Sequence, residues 1–163
     1  METDFEMDVR MFLARPPFNL RGVPREALEL FCTALTHDSY SNEAADRNPP
    51  VHLESYERLE FLGDAVLEFL VCESVYADTD LREGAMTDYK QDKVANRMVS
   101  DRVLASGMDI DSVMRVGGGH VVGGAKVVEE NMRADCFEAI VAAMYLSYGI
   151  DAARALVRSV ILV

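Results

Sequence analysis

The segment ERLEFLGDAVLEFLV, at residues 57–71, places four acidic side chains in a stretch that is otherwise strongly apolar. They are Glu57, Glu60, Asp64 and Glu68. Their spacings of three and four residues put these acids on a common face of a helix. Like charges at such spacings destabilise an exposed helix slightly and a partly buried helix more strongly. A bound divalent cation is the simplest group that would offset this repulsion.

A second acidic pair, Asp135 and Glu138, lies in MRADCFEAIVAAMYL, a segment with the composition of a core helix. If the two helices pack together, four carboxylates converge, namely those of Glu60, Asp64, Asp135 and Glu138. Two carboxylates about 4 Å apart repel by about 4 kcal/mol at an effective dielectric constant of about 20. Either some are protonated or cations neutralise them, and Mg²⁺ suits an all-oxygen site. Solvated helix faces also carry acidic pairs, so the residues alone leave both interpretations open.

Apolar residues at helical spacing predict an all-α fold of about seven helices. The expected helices cover 24–35, 56–76, 87–106, 110–114 and 126–148, and a last helix begins near Asp151. Thr87 is the expected N-cap of the helix at 87–106. Gly63 lies inside the helix at 56–76, and such a glycine often marks the close approach of another backbone.

The remaining segments are expected to be loops. Residues 1–24 are rich in proline and predict an irregular or short helical lead-in to a domain at 25–163. Residues 36–50 are polar and indicate a helix end and a loop, in which His37 packs or caps rather than binding a metal. The glycine-rich stretch at 116–124 also indicates a loop, and no convincing strand pattern is present.

Composition narrows the class of protein. A chain of 163 residues, of which 50% are hydrophobic, forms one domain with a packed core. The net charge of −12 argues against binding nucleic acid by bulk attraction alone. Cys32, Cys72 and Cys136 lie in apolar contexts without a CxxC pair, which indicates free core thiols. Neither a secretory signal nor a membrane-spanning stretch is apparent, so a cytoplasmic protein is expected.

The motif ERLEFLGDAVL resembles the signature of ribonuclease III endonuclease domains. Three further stretches match the family in the same order, ALTHDSYSNE at 34–43, KVANRMVSDRVLASGM at 93–108 and ADCFEAIVAAMYLSYG at 134–149. The resemblance covers about residues 25–160 and implies a helical catalytic domain that works as a homodimer. It also implies hydrolysis of phosphodiester bonds in double-stranded RNA, leaving 5′-phosphate and 3′-hydroxyl ends.

The resemblance assigns roles to individual residues. It implies four metal ligands, which are Glu60, Asp64, Asp135 and Glu138. Among them, Asp64 and Glu138 are expected to be the catalytic positions that tolerate replacement least. Two Mg²⁺ ions per active site are implied, with Mn²⁺ as a substitute. One would activate a water nucleophile, and the other would stabilise the leaving 3′ oxygen.

Other residues are implied to lie around the site or at the dimer contact. Glu57 and Glu83 match acidic positions near the family's active-site valley. Phe61 matches the aromatic residue that enters a socket on the partner subunit. These roles come from the resemblance, since no interface pattern is visible in the sequence itself.

The candidate RNA contacts are fewer than the substrate would require. Lys90, Lys93 and Arg97 follow a helical spacing, but an ordinary solvated stripe has the same pattern. His120 and Lys126 offer a second contact. Bacterial members usually carry a C-terminal domain that binds double-stranded RNA; the 163 residues end at SVILV, so the expectation is that such a domain does not contribute here. Weak, salt-sensitive RNA binding is therefore expected, and a separate RNA-binding partner is one possible source of additional affinity.

Two other functions stay open. One is a non-catalytic domain of the same fold that serves as a scaffold or as a ribosome-associated partner. Degenerate members of this kind tend to lose carboxylates, whereas this chain retains all four. The other is a helical metal-binding regulator without nuclease activity, which the acidic charge alone supports.

Overall fold

The computed structural model describes residues 2–163, which form nine α-helices, one 3-10 turn and one short β-hairpin. The helices are α1 (Asp4–Ala14), α2 (Arg25–Ala34), α3 (Asp38–Ala45), α4 (Glu57–Asp78), α5 (Glu83–Val94), α6 (Asn96–Ala105), α7 (Ile110–Val113), α8 (Glu130–Tyr148) and α9 (Ile150–Val160). A 3-10 turn (Gly118–His120) leads into antiparallel strands β1 (Val121–Val122) and β2 (Ala125–Lys126). The expected all-α class is confirmed, with nine helices instead of about seven.

Helix α8 is the centre of the fold. Nearly every side chain from Met132 to Met144 is buried, because α2, α4, α6, α7 and α9 pack around it. Small and branched residues such as Ala139, Ile140 and Ala143 let these neighbours approach closely. The carboxylates that α8 carries are therefore held by the most extensively buried helix of the domain.

Helices α4 and α8 touch through their backbones at Gly63. A Cβ atom added at Gly63 would lie 1.8 Å from the carbonyl oxygen of Glu138 and 2.4 Å from its carbonyl carbon. Any residue larger than glycine would therefore push the helices apart. The expectation that Gly63 marks a close backbone approach is confirmed. Because Glu60 precedes the crossing on α4 and Glu138 forms it on α8, the crossing brings acids of the two helices together.

Helix α1 lies in the lead-in that was expected to be irregular or a short helix, and α3 lies where a loop was expected. Helix α1 has eleven residues, begins with a capping box formed by Thr3 and Glu6, and buries Val9, Phe12 and Leu13. Helix α3 lies within the polar stretch 36–50, so the prediction of a loop there was wrong. His37 caps α3 by accepting a hydrogen bond from the Ser39 amide at 3.2 Å, as expected of it. Helix α3 is short and polar, so its sequence lacks a strong apolar repeat.

The helix expected at 87–106 is two helices. Ala95 adopts an extended conformation (φ −62°, ψ 133°) between α5 and α6, and α5 begins at Glu83, four residues before Thr87. Thr87 is therefore not an N-cap; its hydroxyl donates to the Glu83 carbonyl at 3.0 Å. Helix α8 likewise begins four residues later than predicted, at Glu130, because the hairpin occupies Val121–Lys126.

Two further expectations concern the thiols and the membrane. Cys32, Cys72 and Cys136 are free, as predicted, but Cys72 is exposed and only Cys136 is fully buried. Among the helices of residues 2–163, none is long and apolar enough to cross a membrane.

We expect Gly63→Ala to lower the free energy of unfolding by about 3 kcal/mol, because the new methyl group must displace the α8 backbone. Urea denaturation measures this loss. Gly84→Ala is the matched control, since a Cβ atom there meets no atom within 4 Å. Alanine is the better helix former, so Gly84→Ala should leave stability unchanged or raise it slightly. Equal stability of the Gly63→Ala variant and the wild type would show that the helices are not in backbone contact.

Candidate active site

Three carboxylates meet where α4 crosses α8. Oxygen atoms of Glu60, Asp135 and Glu138 all lie within 4.8 Å of one another, and we call these three residues the carboxylate cluster. Glu138 is 5% exposed, whereas Glu60 and Asp135 are partly buried. The cluster is thus open on one side and closed by the helix crossing on the other.

Local structure places each carboxylate. Glu60 lies in the first turn of α4, where the positive end of the helix dipole favours an acid. Asp135 and Glu138 lie one turn apart on α8, so both point toward the same neighbour. The backbone contact at Gly63 then sets the separation between the two helices.

The electrostatics of the cluster favour protonated acids in the absence of a cation. Burial raises the pKa of Glu138 to about 8, and the negative charges of Asp64, Asp135 and Glu60 act in the same direction. Burial also raises the pKa of Glu60, again with help from neighbouring acids. The pKa of Asp135 is raised by burial. Each carboxylate would therefore gain from a nearby positive charge.

No basic side chain supplies that charge within residues 2–163. The salt bridges found there all use acids outside the cluster. Three oxygen donors without a protein cation fit a hard divalent ion, which binds carboxylates and retains water ligands. A closed zinc site is a poorer match, since histidine and cysteine are absent from the cluster.

The other acids predicted on α4 lie at different distances from the cluster. Asp64 is exposed and outside the 4.8 Å group, yet it is the strongest charge acting on Glu138 and therefore lies close to it. Glu57 is also exposed; its charge reaches Glu60, and it accepts a hydrogen bond from the Ser55 hydroxyl at 2.9 Å. The structure thus brings three predicted ligands together and leaves the fourth at the open edge.

Glu83 and Glu68 are placed elsewhere. Glu83 lines a concavity of about 340 Å³ with Cys72 and Tyr76, toward the opposite end of α4 from Glu60. Within one chain, Glu83 is therefore not brought to the cluster. Glu68, the last of the four acids in residues 57–71, is half-buried and accepts a hydrogen bond from Lys90 at 3.4 Å.

The predicted basic stripe does not form a single helix face. Lys90 and Lys93 belong to α5, whereas Arg97 belongs to α6 beyond the break at Ala95, so the expectation of one helix was wrong. Lys90 is engaged by Glu68, and the Lys93 ammonium lies 5.3 Å from the centre of the Tyr89 ring.

The second predicted basic contact is also engaged. Lys126 donates to the carbonyl oxygens of Ser112 and Met114 at 2.6 and 2.9 Å, so its ammonium caps the end of α7. Its role is therefore structural in this arrangement.

One feature beside the cluster was not predicted from the sequence, a row of three side-chain rings that belong to a tyrosine and two histidines. Tyr56 is buried, and the pKa of its hydroxyl is raised by burial and by the charges of Asp135 and Glu60. Its ring centre lies 5.4 Å from that of His37, which in turn lies 4.9 Å from that of His120. Residues so far apart in the chain leave no local signal of this contact.

The fold has relatives of known structure. The nuclease domain of ribonuclease III from Campylobacter jejuni, described for flexibility in a region involved in dimer formation, superposes with a TM-score of 0.68. The match covers 96% of this chain and 93% of that domain, at 22% sequence identity. At this identity the likeness establishes the fold, which is that of a ribonuclease III nuclease domain.

Sequence relatives establish the family. The family model described as ribonuclease-III-like matches residues 28–163, and the chain belongs to this family. Ribonuclease 3 of Mesoplasma florum is 36% identical over 77% of this chain and 51% of its own length. Ribonuclease 3 of Bdellovibrio bacteriovorus is 40% identical over 77% of the chain and 50% of its own length. The chain thus spans about half the length of these relatives.

We expect the stability of the metal-free protein to fall as the pH rises from about 4.5 to about 8. In that range an unfolded Glu138 is ionised while the folded one retains its proton, so the folded state binds more protons. Glu60 and Asp135, whose pKa values are also raised, act with the same sign. The expected loss is of the order of 5 kcal/mol. Urea denaturation in EDTA over this pH range measures it.

Glu138→Gln removes the ionisation and should flatten this pH dependence. Glu26→Gln, at an exposed position on α2, is the matched neutralisation and should retain the wild-type slope. A wild-type stability that is constant over the range would contradict the raised pKa values.

Proposed function

We propose that this protein is a divalent-metal-dependent endoribonuclease that cleaves double-stranded or structured RNA in RNA processing. The products are expected to carry 5′-phosphate and 3′-hydroxyl ends. The observation that carries the proposal is the carboxylate cluster, three converging acids without a protein cation in a ribonuclease-III-like chain. We assign the catalytic domain to residues 25–163, with 1–24 as a lead-in, and the site of action to the cytoplasm.

Mg²⁺ is the proposed cofactor, with Mn²⁺ as a substitute and two ions per reacting site. Glu60, Asp135 and Glu138 would hold the first ion, and Asp64 at the open edge would complete the set. When bound, such ions supply Lewis-acid activation of water and stabilisation of the leaving oxygen. The donor chemistry supports this assignment, since carboxylates are the ligands that Mg²⁺ prefers.

The protein side chains have separate tasks in this proposal. Glu138 is the most buried ligand and must release its proton before it can coordinate, which couples cofactor binding to proton release. Asp64 is exposed on the open side, where a phosphodiester can approach. Glu57 adds negative charge at this edge and so strengthens cation binding. Asp64 and Glu138 are therefore the proposed catalytic positions.

The proposed assembly is a homodimer formed through α4. Phe61 is 83% exposed, and Phe69 on the same helix is 54% exposed. Beside them lies an open apolar concavity of about 440 Å³, lined by Leu62, Ala65, Val66, Phe69, Tyr145 and Ile150. An exposed apolar surface of this kind is typical of an interaction site. The proposal places Phe61 of one protomer in a socket of its partner.

The charge of the chain disfavours RNA binding. The chain carries a net charge of −12, whereas most non-specific affinity for nucleic acid comes from phosphate neutralisation. Lys90, Lys93 and Arg97 remain the proposed contacts, though Glu68 and Asp101 compete for two of them. Binding should therefore be salt-sensitive and assisted by the metal ions, with a separate RNA-binding partner as a further source of affinity.

We expect the pure protein to cut long duplex RNA at low salt with Mg²⁺ and not with EDTA. Glu138→Gln and Asp64→Asn should each lower the cleavage rate at least about 100-fold, because each removes a charged ligand. Gel analysis of end-labelled RNA gives both the rate and the 3′ overhangs.

Glu26→Gln is again the matched control and should cleave at the wild-type rate. Normal cleavage by the Asp64→Asn variant would remove Asp64 from the site. RNA binding without cleavage by the wild type would instead favour the non-catalytic scaffold, and neither binding nor cleavage would favour the metal-binding regulator.

We expect Phe61→Ala to weaken the homodimer at least about tenfold, because a buried aromatic anchor contributes strongly to an interface. Analytical ultracentrifugation over a concentration series measures the dissociation constant. Leu104→Ala is the control, since Leu104 is an exposed apolar residue on α6, a helix that contributes no residue to this concavity. A Leu104→Ala effect equal to that of Phe61→Ala would argue against α4 as the contact.

A further inference from the structure

Arg133 is a buried cation on α8, two residues before Asp135. It is 8% exposed, and its guanidinium bonds Asp111 of α7 through two parallel contacts of 2.7 and 2.5 Å. The same group donates to the Ser100 hydroxyl of α6 at 2.8 Å and to the Val128 carbonyl at 3.1 Å. We call these contacts the Arg133 network. It joins α8 to two helices and to the chain that leads into it.

The Arg133 network holds α8 from the side opposite to the carboxylate cluster. With 3.6 residues per turn, Asp135 lies roughly 200° around the helix from Arg133, and Glu138 roughly 140° around it. The partners of Arg133 belong to α6 and α7, whereas Asp135 and Glu138 converge with Glu60 of α4. A change of the network would therefore rotate or shift the acids relative to Glu60.

Other polar attachments of the first turn of α8 are few. The N-cap residue Glu129 makes no side-chain cap bond, and residues 121–127 before it are exposed. Asn131 accepts one exposed hydrogen bond from Asn96 at 3.2 Å. Buried apolar neighbours such as Met132 hold α8 against the core, but apolar contacts are weakly directional. The guanidinium of Arg133 makes directional hydrogen bonds that can fix the orientation of α8, because its N–H donors have a fixed planar geometry.

We infer that Arg133 is a positioning residue for the proposed metal site, which it serves by fixing the rotation of α8 through Asp111 and Ser100. This inference rests on the proposed function. A partly buried ion pair adds little net stability compared with apolar side chains of similar size. A binding site, by contrast, depends on ligands held within about 0.5 Å of their places. The network should therefore matter more to metal affinity than to folding.

The test compares metal affinity with stability in a variant that removes both charges. Arg133→Met combined with Asp111→Ala leaves no unpaired buried charge and keeps an apolar side chain of similar length. We expect its thermal midpoint to stay within a few degrees of the wild type, while Mn²⁺ binds about tenfold more weakly. Electron paramagnetic resonance titration of free Mn²⁺ gives the affinity without requiring cleavage.

The chain offers a matched control in another forked arginine pair. Arg154 of α9 bonds Glu73 of α4 at 2.5 and 3.0 Å, in the half of α4 that lies away from Glu60. Arg154→Met combined with Glu73→Ala should leave the Mn²⁺ affinity unchanged. A loss equal to that of the Arg133 variant would overturn the inference, because the effect would then be general.

The outcomes separate the inference from the function on which it rests. A wild type that does not bind Mn²⁺ overturns the proposed metal site, and the inference with it. A wild type that binds Mn²⁺, together with an Arg133 variant of equal affinity, overturns the inference alone. If the double variant fails to fold, the Arg133→Lys variant tests the inference instead. Lysine keeps the positive charge but cannot make the two parallel hydrogen bonds to Asp111. Weaker Mn²⁺ binding by Arg133→Lys supports the inference, and wild-type affinity overturns it.

Discussion

The backbone contact between Gly63 of α4 and Glu138 of α8 is the constraint on which the site depends. A side chain at residue 63 would have to occupy the space of the Glu138 carbonyl, so the helices can meet this closely only at a glycine. Their approach brings oxygen atoms of Glu60, Asp135 and Glu138 within 4.8 Å of one another. It also buries Glu138, which raises the pKa of that carboxyl to about 8. One contact thus sets both the geometry and the electrostatics of the cluster.

Helix α8 belongs both to the hydrophobic core and to the carboxylate cluster, and these two roles oppose each other energetically. Helix α8 is surrounded by five others, which stabilises the fold through apolar burial. Two acids on this helix oppose that burial, since a buried carboxylate is costly unless it is protonated or paired. Proteins commonly accept such a cost at functional sites. A cation that binds only the folded state would return part of the lost stability. In the Arg133 network, by contrast, the buried positive charge of Arg133 is neutralised within the protein by an ion pair with Asp111.

Sequence patterns predicted the elements whose signals are local. The spacing of Glu60 and Asp64, and that of Asp135 and Glu138, identified both acid-bearing helices, and Gly63 indicated their close contact. Predictions failed where the local signal was weak. Helix α3 is polar and short, and the break at Ala95 lies in a sequence whose apolar spacing continues across it. The T-x-x-E pattern at Thr3 could have identified α1, because its capping box is a recognisable start signal.

The sequence by itself determined the helical class, the two acidic pairs and the resemblance to a nuclease family. Each of these depends on residues a few positions apart, whose spacing translates directly into a shared helix face. Only the tertiary structure decided which acids meet. In the folded chain, Glu60 lies beside Asp135 and Glu138, and Asp64 lies at the edge of this cluster. Glu83 lies toward the far end of α4. Such distances follow from how helices cross, which depends on contacts between side chains remote in sequence.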